Sequence, residues 1–219
     1  MSNESPLPSE VAFASFLVYN PSRVRFPSDL SKRSRTVMRA VKSETAAWAR
    51  KQRLGERLAQ EVGEGIREEY LGADTTLVPM PGHAPMKDAR AHWAARELCE
   101  HFVESGLGAQ WLPLLERTHA VAKSSTSTSD ARPTAQLHFD SLRARGDLGA
   151  GTSITVVDDV ITRGATMLAA IARVQEALPG VNVRGFALIR TNSDEPIVAV
   201  KEPVRGTVRV VSWGTRREP

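Results

Sequence analysis

Residues 154–170 read ITVVDDVITRGATMLAA. The first four are apolar or β-branched, which favours a buried strand, and the last five have the apolar content typical of a helix. Between them stand two adjacent aspartates and a short polar turn. Ligands of open α/β sheets bind at the carboxyl ends of the strands. The stretch therefore predicts a strand over 153–159, a helix over 166–178 and a binding site where the two meet.

The polar turn is the predicted anion site, with the residues Thr162, Arg163, Gly164, Ala165 and Thr166. Backbone N–H groups at a helix start have no helical partner and carry the positive end of the helix dipole, so an anion is favoured there. Glycine lets the backbone approach the anion closely, the threonines offer hydroxyl donors and the arginine offers charge. Together these donors predict a phosphate ligand.

The adjacent carboxylates of Asp158 and Asp159 repel a phosphate and suit a different group. They fit vicinal hydroxyls, either directly or through Mg²⁺, which prefers oxygen ligands. A phosphate at one end and a diol at the other describe a ribose 5-phosphate. The alternative is an acidic pair that only caps an ordinary helix. The sequence has no GxxxxGK[ST], no GxGxxG after a strand and no HExxH pair, which disfavours other nucleotide and zinc sites.

The bulk properties bound the class of protein. The 219 residues suit one domain with a small appendage, and 41% hydrophobic and 25% charged residues are ordinary for a globular chain. Cys99 is the one cysteine, so no intramolecular disulfide can form, and a reducing cytoplasm is the expected location. No apolar run reaches the roughly 18 residues of a membrane span, so no membrane contact is expected. The polar start MSNESPLPSE differs from a secretory signal.

Positive charge is concentrated near the N-terminus, although the net charge of the chain is only +4. Residues 21–57 contain eleven lysines and arginines against three acidic residues. This basic N-terminal region favours contact with nucleic acid or another anion, and a solvated helix face is the alternative. The basic residues are Arg23, Arg25, Lys32, Arg33, Arg35, Arg39, Lys42, Arg50, Lys51, Arg53 and Arg57.

The rest of the pattern alternates strands with helices, which predicts a parallel α/β sheet flanked by helices. Further strands are expected over 11–20, 74–82, 110–121, 183–190 and 207–213. Helices are expected from 36 to about 70, with a break near Gly63 and Gly65, and over 87–106. Residues 21–35 and 123–136 are expected to be loops. We assign residues 1–35 to an N-terminal extension of strand and helix, and 36–219 to the main domain.

The residues VVDDVITRGAT (156–166) closely resemble the phosphoribosyl pyrophosphate (PRPP) motif of type I phosphoribosyltransferases. Two further stretches, VPMPG (78–82) and KSSTSTSDARPTAQLHFDSLR (123–143), look like the pyrophosphate loop and the mobile loop of the ComF-like branch, which is associated with competence and DNA utilisation. The resemblance covers about residues 36–190. The chain departs from many members of that branch because it has no cysteine-rich zinc ribbon at its N-terminus.

The resemblance implies a type I phosphoribosyltransferase fold and a transferase that uses PRPP, Mg²⁺ and a nitrogenous acceptor. It implies catalytic roles for Asp158, Asp159, Lys123 and Arg132, with Mg²⁺ held directly or indirectly by the two aspartates. Gln136 and Arg143 are further candidates near the mobile loop. The implied pyrophosphate loop comprises Val78, Pro79, Met80, Pro81 and Gly82. Its expected donors are the N–H groups of Met80 and Gly82, because proline has none.

Two hypotheses of function follow from these residues. The first is a phosphoribosyltransferase of nucleotide metabolism that releases pyrophosphate. The second is a non-catalytic PRPP- or nucleotide-sensing module that acts on nucleic acid or a protein partner through the basic N-terminal region, since one fold hosts both kinds of function. The acceptor stays open because the sequence shows no base-recognising hood. The sequence also leaves the oligomeric state open, and a homo-oligomer is one of the alternatives.

Overall fold

The structure is a computed structural model that describes residues 6–22, 28–43, 48–86, 88, 91–122, 133–146, 149 and 151–219, with the backbone alone at 48–52. Nine strands and six helices occur in these ranges. In chain order they are β1 (Glu10–Tyr19), α1 (Asp29–Lys42), α2 (Trp48–Glu61), α3 (Glu64–Leu71), β2 (Thr75–Pro79), α4 (Ala94–Glu104), β3 (Gln110–Trp111), β4 (Leu115–Arg117), α5 (Ala135–Asp140), β5 (Leu142–Ala144), β6 (Ser153–Ile161), α6 (Ala165–Ala177), β7 (Asn182–Thr191), β8 (Lys201–Val211) and β9 (Gly214–Glu218).

A seven-stranded sheet forms the centre of the fold, in the order β3-β2-β6-β7-β1-β8-β9. Its first five strands are parallel, and β8 and β9 extend it as an antiparallel edge. The expected α/β class is therefore confirmed, with a mixed rather than a purely parallel sheet. Strand β1 comes from the segment assigned to an N-terminal extension, and it is hydrogen-bonded between β7 and β8 inside the sheet.

Helices cover both faces of the sheet, which explains why its central strands are almost continuously apolar. Successive side chains of a strand point to opposite faces. In β6, Ile154 and Val156 belong to the core cluster that contains the buried face of α6, whereas Val157 belongs to the cluster that contains Leu98 and Phe102 of α4. The sheet is thus shared by two cores, and its carboxyl edge is where ligands of open α/β sheets generally bind.

The helical region before β2 differs from the sequence prediction. Helix α1 begins at Asp29, inside the predicted loop 21–35, because the Ser28 hydroxyl accepts the Ser31 N–H and the Ser31 hydroxyl accepts the Ser28 N–H. Serine at the third position replaces the usual Glu or Gln of such a cap, so the signature was missed. The single helix expected over 36–70 is three helices. The predicted break is confirmed at Gly63, which has a φ of 88°.

Several further elements differ from their predicted bounds or were not predicted. The strand expected over 110–121 is divided into β3, which pairs with β2, and β4, which pairs with β5 in a separate ribbon. Pro113 lies between them and has no N–H to donate to a ladder. Helix α4 begins at Ala94 rather than 87, and β8 begins before the predicted 207 and turns back as β9 after Val211. Helix α5 and strand β5 were not predicted.

Candidate functional site

The two predicted ligand loops follow neighbouring strands of the sheet. Strands β2 and β6 are parallel, and Pro79 is paired in register with Val157. The chain therefore leaves β2 toward Gly82 at the same edge where Asp158 and Asp159 stand. Neither stretch specifies the other in the sequence, so the strand order alone brings them together.

The acidic pair lies within β6, which continues to Ile161, and not at the strand end that the sequence predicted. The Asp159 N–H donates to Asp158 Oδ1 at 2.8 Å, and both side chains are half-buried. Burial, and then the charge of Asp159, raise the pKa of the Asp158 carboxyl well above its usual range. Because each carboxylate disfavours ionisation of the other, a hydroxyl donor or a cation placed against them is stabilised.

Lys42 brings the basic N-terminal region into this site. It is the last residue of α1, and its Nζ lies 3.2 Å from Asp159 Oδ2. Burial alone would lower the pKa of Lys42, but the carboxylates of Asp159 and Asp158 raise it above its usual value. The lysine is therefore charged at neutral pH and partly neutralises the acidic pair. The sequence marks Lys42 only as one of the basic residues of the N-terminal region and does not assign it to the site.

The turn after β6 places Gly164 at the N-cap of α6 in the left-handed conformation, with φ 85° and ψ 4°. A Cβ at this position would lie 2.6 Å from Val208 Cγ1 and closer still to Cγ2. Glycine is therefore required both by its φ and by contact with β8. The N-cap makes no side-chain hydrogen bond, so the first amides of α6 keep their donor capacity. Arg163 is exposed, and Thr162, Ala165 and Thr166 are half-buried.

The segment VPMPG is only partly a loop. Val78 and Pro79 belong to β2, and the Met80 N–H donates to the Val157 carbonyl at 2.8 Å. The Met80 carbonyl in turn accepts the Trp93 indole N–H at 2.6 Å. The expectation that the Met80 N–H is available to a ligand was therefore wrong, since β2 continues its pairing with β6 through this residue. Pro81 is buried, and the exposed part of the loop begins at Gly82.

A buried polar cluster that the sequence did not predict joins the two loops. Arg117 on β4 donates from Nε to the Gly82 carbonyl at 2.9 Å, and its Nη2 lies 3.2 Å from His138 Nδ1. His138 on α5 places its Nε2 3.2 Å from the Thr166 hydroxyl. No sequence motif marked this arginine, because a charged residue on a short strand is ordinarily exposed.

The segment resembling a mobile loop contributes little within the described residues. Lys123 and Arg132 lie outside them. Gln136 is exposed on α5 and donates to Asp140 at 2.9 Å, and Arg143 on β5 is exposed and lies 3.7 Å from Glu116 across the β4–β5 ribbon. Within the described part of the chain, neither side chain forms a hydrogen bond or ion pair with the acidic pair or the Gly164 turn, and their predicted roles stay predictions.

Two features are absent from the residues that the structure describes. No helix there is long and apolar enough to cross a membrane. No group of three or more histidine, cysteine, aspartate or glutamate side chains is arranged there to hold a metal ion.

Comparison with known proteins gives a distant structural likeness. A solved hypoxanthine phosphoribosyltransferase from Staphylococcus aureus is similar over 68% of this chain and 70% of that chain, with 12% sequence identity and a TM-score of 0.30. A scan against protein-family models and a search of curated proteins find no match.

Proposed function

We propose that the protein binds PRPP with Mg²⁺ and transfers its phosphoribosyl group to a nitrogenous acceptor, releasing pyrophosphate. The main support is the shared edge of β2 and β6, where Pro79 and Val157 are neighbours. This pairing puts the exposed loop at Gly82 and the acidic pair at the same edge of the sheet, and the Gly164 turn follows the acidic pair in the chain, which supports one continuous ligand path. PRPP has pyrophosphate, a ribose diol and a 5-phosphate to match these three parts.

Each part of the path has a role in the proposal. The first amides of α6 and the Thr166 hydroxyl bind the 5-phosphate, because a helix start favours an anion. Asp158 and Asp159 accept hydrogen bonds from the ribose hydroxyls, and their mutual repulsion falls when they do. The backbone after Gly82 receives the pyrophosphate.

Mg²⁺ fits the donors at the acidic pair. Proteins commonly hold this ion through one or two carboxylates together with substrate phosphates, and the described residues offer two carboxylates and no closed metal cluster. Asp158 and Asp159 would hold the ion, either directly or through water. When bound, Mg²⁺ would supply positive charge to the departing pyrophosphate.

The proposed reaction breaks the bond between ribose C1 and the pyrophosphate oxygen, whose electron pair leaves with pyrophosphate. The lone pair of the acceptor nitrogen forms the new bond to C1, and the acceptor proton passes to solvent. Because negative charge grows on the leaving group, catalysis comes mainly from cations and backbone donors that face it. Lys123 and Arg132 are proposed to supply such charge when their segment covers the ligand.

A PRPP-sensing module is the second candidate, and the Lys42 contact favours it. The ribose hydroxyls and Lys42 Nζ compete for the same carboxylate, because Nζ lies 3.2 Å from Asp159 Oδ2. Ligand binding would then release the end of α1 and change how the basic N-terminal region is presented. Such a coupling is expected of a sensor and is not needed for a transferase.

Calorimetric titration of the purified protein with PRPP and Mg²⁺ tests the shared part of both proposals. We expect the wild-type protein to bind PRPP. The double variant Asp158→Asn/Asp159→Asn should lose this binding, and the exposed control Asp140→Asn should retain it. Pyrophosphate release with a panel of bases then separates a transferase from a sensor. A wild-type protein that does not bind PRPP contradicts both.

A further inference from the structure

We infer that Arg117 is a positioning residue that orients one hydrogen-bond donor on each ligand loop. On the α6 side, Arg117 fixes which nitrogen of His138 is protonated, and His138 in turn orients the Thr166 hydroxyl. On the β2 side, Arg117 binds the Gly82 carbonyl and thereby orients the peptide that carries the His83 N–H. The inference rests on the proposed function for the identity of the ligand, and on the buried contacts of Arg117 for everything else.

Arg117 is held by acceptors on three of its nitrogens and is only 6% exposed. Its Nε donates to the Gly82 carbonyl at 2.9 Å, and its Nη1 donates to the His138 carbonyl at 3.3 Å and to the Ser141 hydroxyl. Its Nη2 lies 3.2 Å from His138 Nδ1. A guanidinium offers donors and no acceptor. Burial lowers the pKa of Arg117 to about 10, which still leaves it charged at neutral pH.

The contact with Arg117 determines which nitrogen of His138 carries the proton. Because Nη2 can only donate, Nδ1 must accept and is unprotonated. Burial, and then the charge of Arg117, lower the pKa of His138 to about 4, so the ring is neutral near pH 7. A neutral imidazole carries its single proton on the other nitrogen. His138 Nε2 therefore donates to the Thr166 hydroxyl oxygen, 3.2 Å away.

The orientation of His138 in turn directs the Thr166 proton. A threonine hydroxyl has one proton, and here its oxygen already accepts from His138. His138 is the one hydrogen-bond partner of this hydroxyl in the described part of the chain. Thr166 is the second residue of α6, so its proton is offered beside the first amides of that helix. A phosphate oxygen at the helix start is the acceptor that completes this chain of donors.

The same guanidinium orients the peptide after Gly82. A trans peptide directs its C=O and N–H in opposite directions, and the described chain contains no cis peptide bond. The Gly82 carbonyl accepts from Arg117, so the His83 N–H is directed away from the guanidinium. The His83 carbonyl accepts the Val121 N–H at 2.8 Å, which holds the segment from its other end. The His83 amide is therefore a fixed donor for pyrophosphate.

Nitrogen-15 NMR of the imidazole rings in the wild-type protein tests the relay without a substitution. At neutral pH the shifts of His138 are expected to show a protonated Nε2 and an unprotonated Nδ1. A ring protonated on Nδ1 would overturn the relay, because Arg117 and Thr166 would then face the wrong nitrogens. Assignment is simple, since the chain has five histidines.

Binding of inorganic phosphate and of pyrophosphate to variants tests the role in the site. Arg117→Met is expected to weaken both ligands about tenfold or more, the loss typical of one hydrogen bond to a charged group. His138→Gln is expected to lower the affinity for phosphate but not for pyrophosphate. In a Thr166→Val background it should have no further effect on phosphate affinity. A purely structural role would weaken binding in both backgrounds.

Arg173→Met is the matched control for loss of an arginine. Arg173 on α6 donates to the Phe139 carbonyl at 2.9 Å and stacks 3.5 Å from that ring. Among the residues that the structure describes, it forms no hydrogen bond or ion pair with either ligand loop. Phosphate and pyrophosphate affinity should stay within about twofold of wild type. If the wild-type protein binds the anions, and Arg173→Met weakens binding as much as Arg117→Met does, the inference is overturned while the proposed function stands. If wild type binds neither anion, the proposed function fails with the ligand part of the inference, while the NMR result still decides the relay.

Discussion

Gly164→Ala is expected to destabilise the fold by about 2–5 kcal/mol, from two separable causes. The residue has a φ of 85°, and a left-handed conformation costs a residue with a Cβ about 1–2 kcal/mol. The new methyl would also lie 2.6 Å from Val208 Cγ1, and overpacking of a buried site typically costs about 1–3 kcal/mol. Val208 is fully buried between β1 and β9, so it cannot simply rotate into solvent.

Gly180→Ala isolates the conformational cause. Gly180 has the same φ of 85°, and no atom lies within 4 Å of the position that its new methyl group would take. Its substitution should therefore cost only about 1–2 kcal/mol. Urea unfolding, followed by tryptophan fluorescence and by circular dichroism, gives the free energy of unfolding of both variants. The difference between their losses of stability is the cost of the clash with Val208.

Val208→Ala tests the clash directly, because it removes Cγ1 and Cγ2. Alone it should destabilise the protein by about 1.5 kcal/mol or more, from two buried methyl groups. Combined with Gly164→Ala it should cost at least about 1 kcal/mol less than the sum of the two single variants. Strict additivity, or a Gly164→Ala variant no less stable than Gly180→Ala, would refute the packing argument and leave glycine required by φ alone.

Three further outcomes are expected. The double variant Asp158→Asn/Asp159→Asn should have a melting temperature equal to or higher than that of the wild-type protein, and it should no longer bind PRPP. Because the pKa of Asp158 is raised in the fold, wild-type stability should decline relative to that variant as the pH rises above 3.8, and urea titrations that show the reverse order would contradict it. Lys42→Met should raise the pKa of Asp158 further, since the lysine charge lowers it, and carboxyl carbon-13 NMR measures the shift. Lys123→Ala and Arg132→Ala should cut turnover about tenfold to a thousandfold while changing PRPP affinity much less, and loss of affinity alone would favour the sensor.

The sequence predicted what depends on local patterns. Apolar runs and helical spacing identified β6, α6 and β7 within a few residues, because side-chain periodicity follows directly from backbone geometry. The turn with Gly164 was predicted as a ligand site for the same reason: a strand end, a glycine and a helix start are adjacent in the chain. Boundaries failed where a cap or a proline decided them, as at Ser28 and Pro113.

Only the tertiary structure decided which distant residues meet at that turn. Strand order brought the β2 loop beside Asp158, and packing of α1 placed Lys42 against Asp159. Arg117 became part of the candidate site because its guanidinium is buried among acceptors from separate elements. Such contacts have no sequence period, since they arise when elements far apart in the chain pack together. Local chemistry thus led to the predicted ligand, and long-range packing determined which buried side chains lie beside the candidate ligand loops.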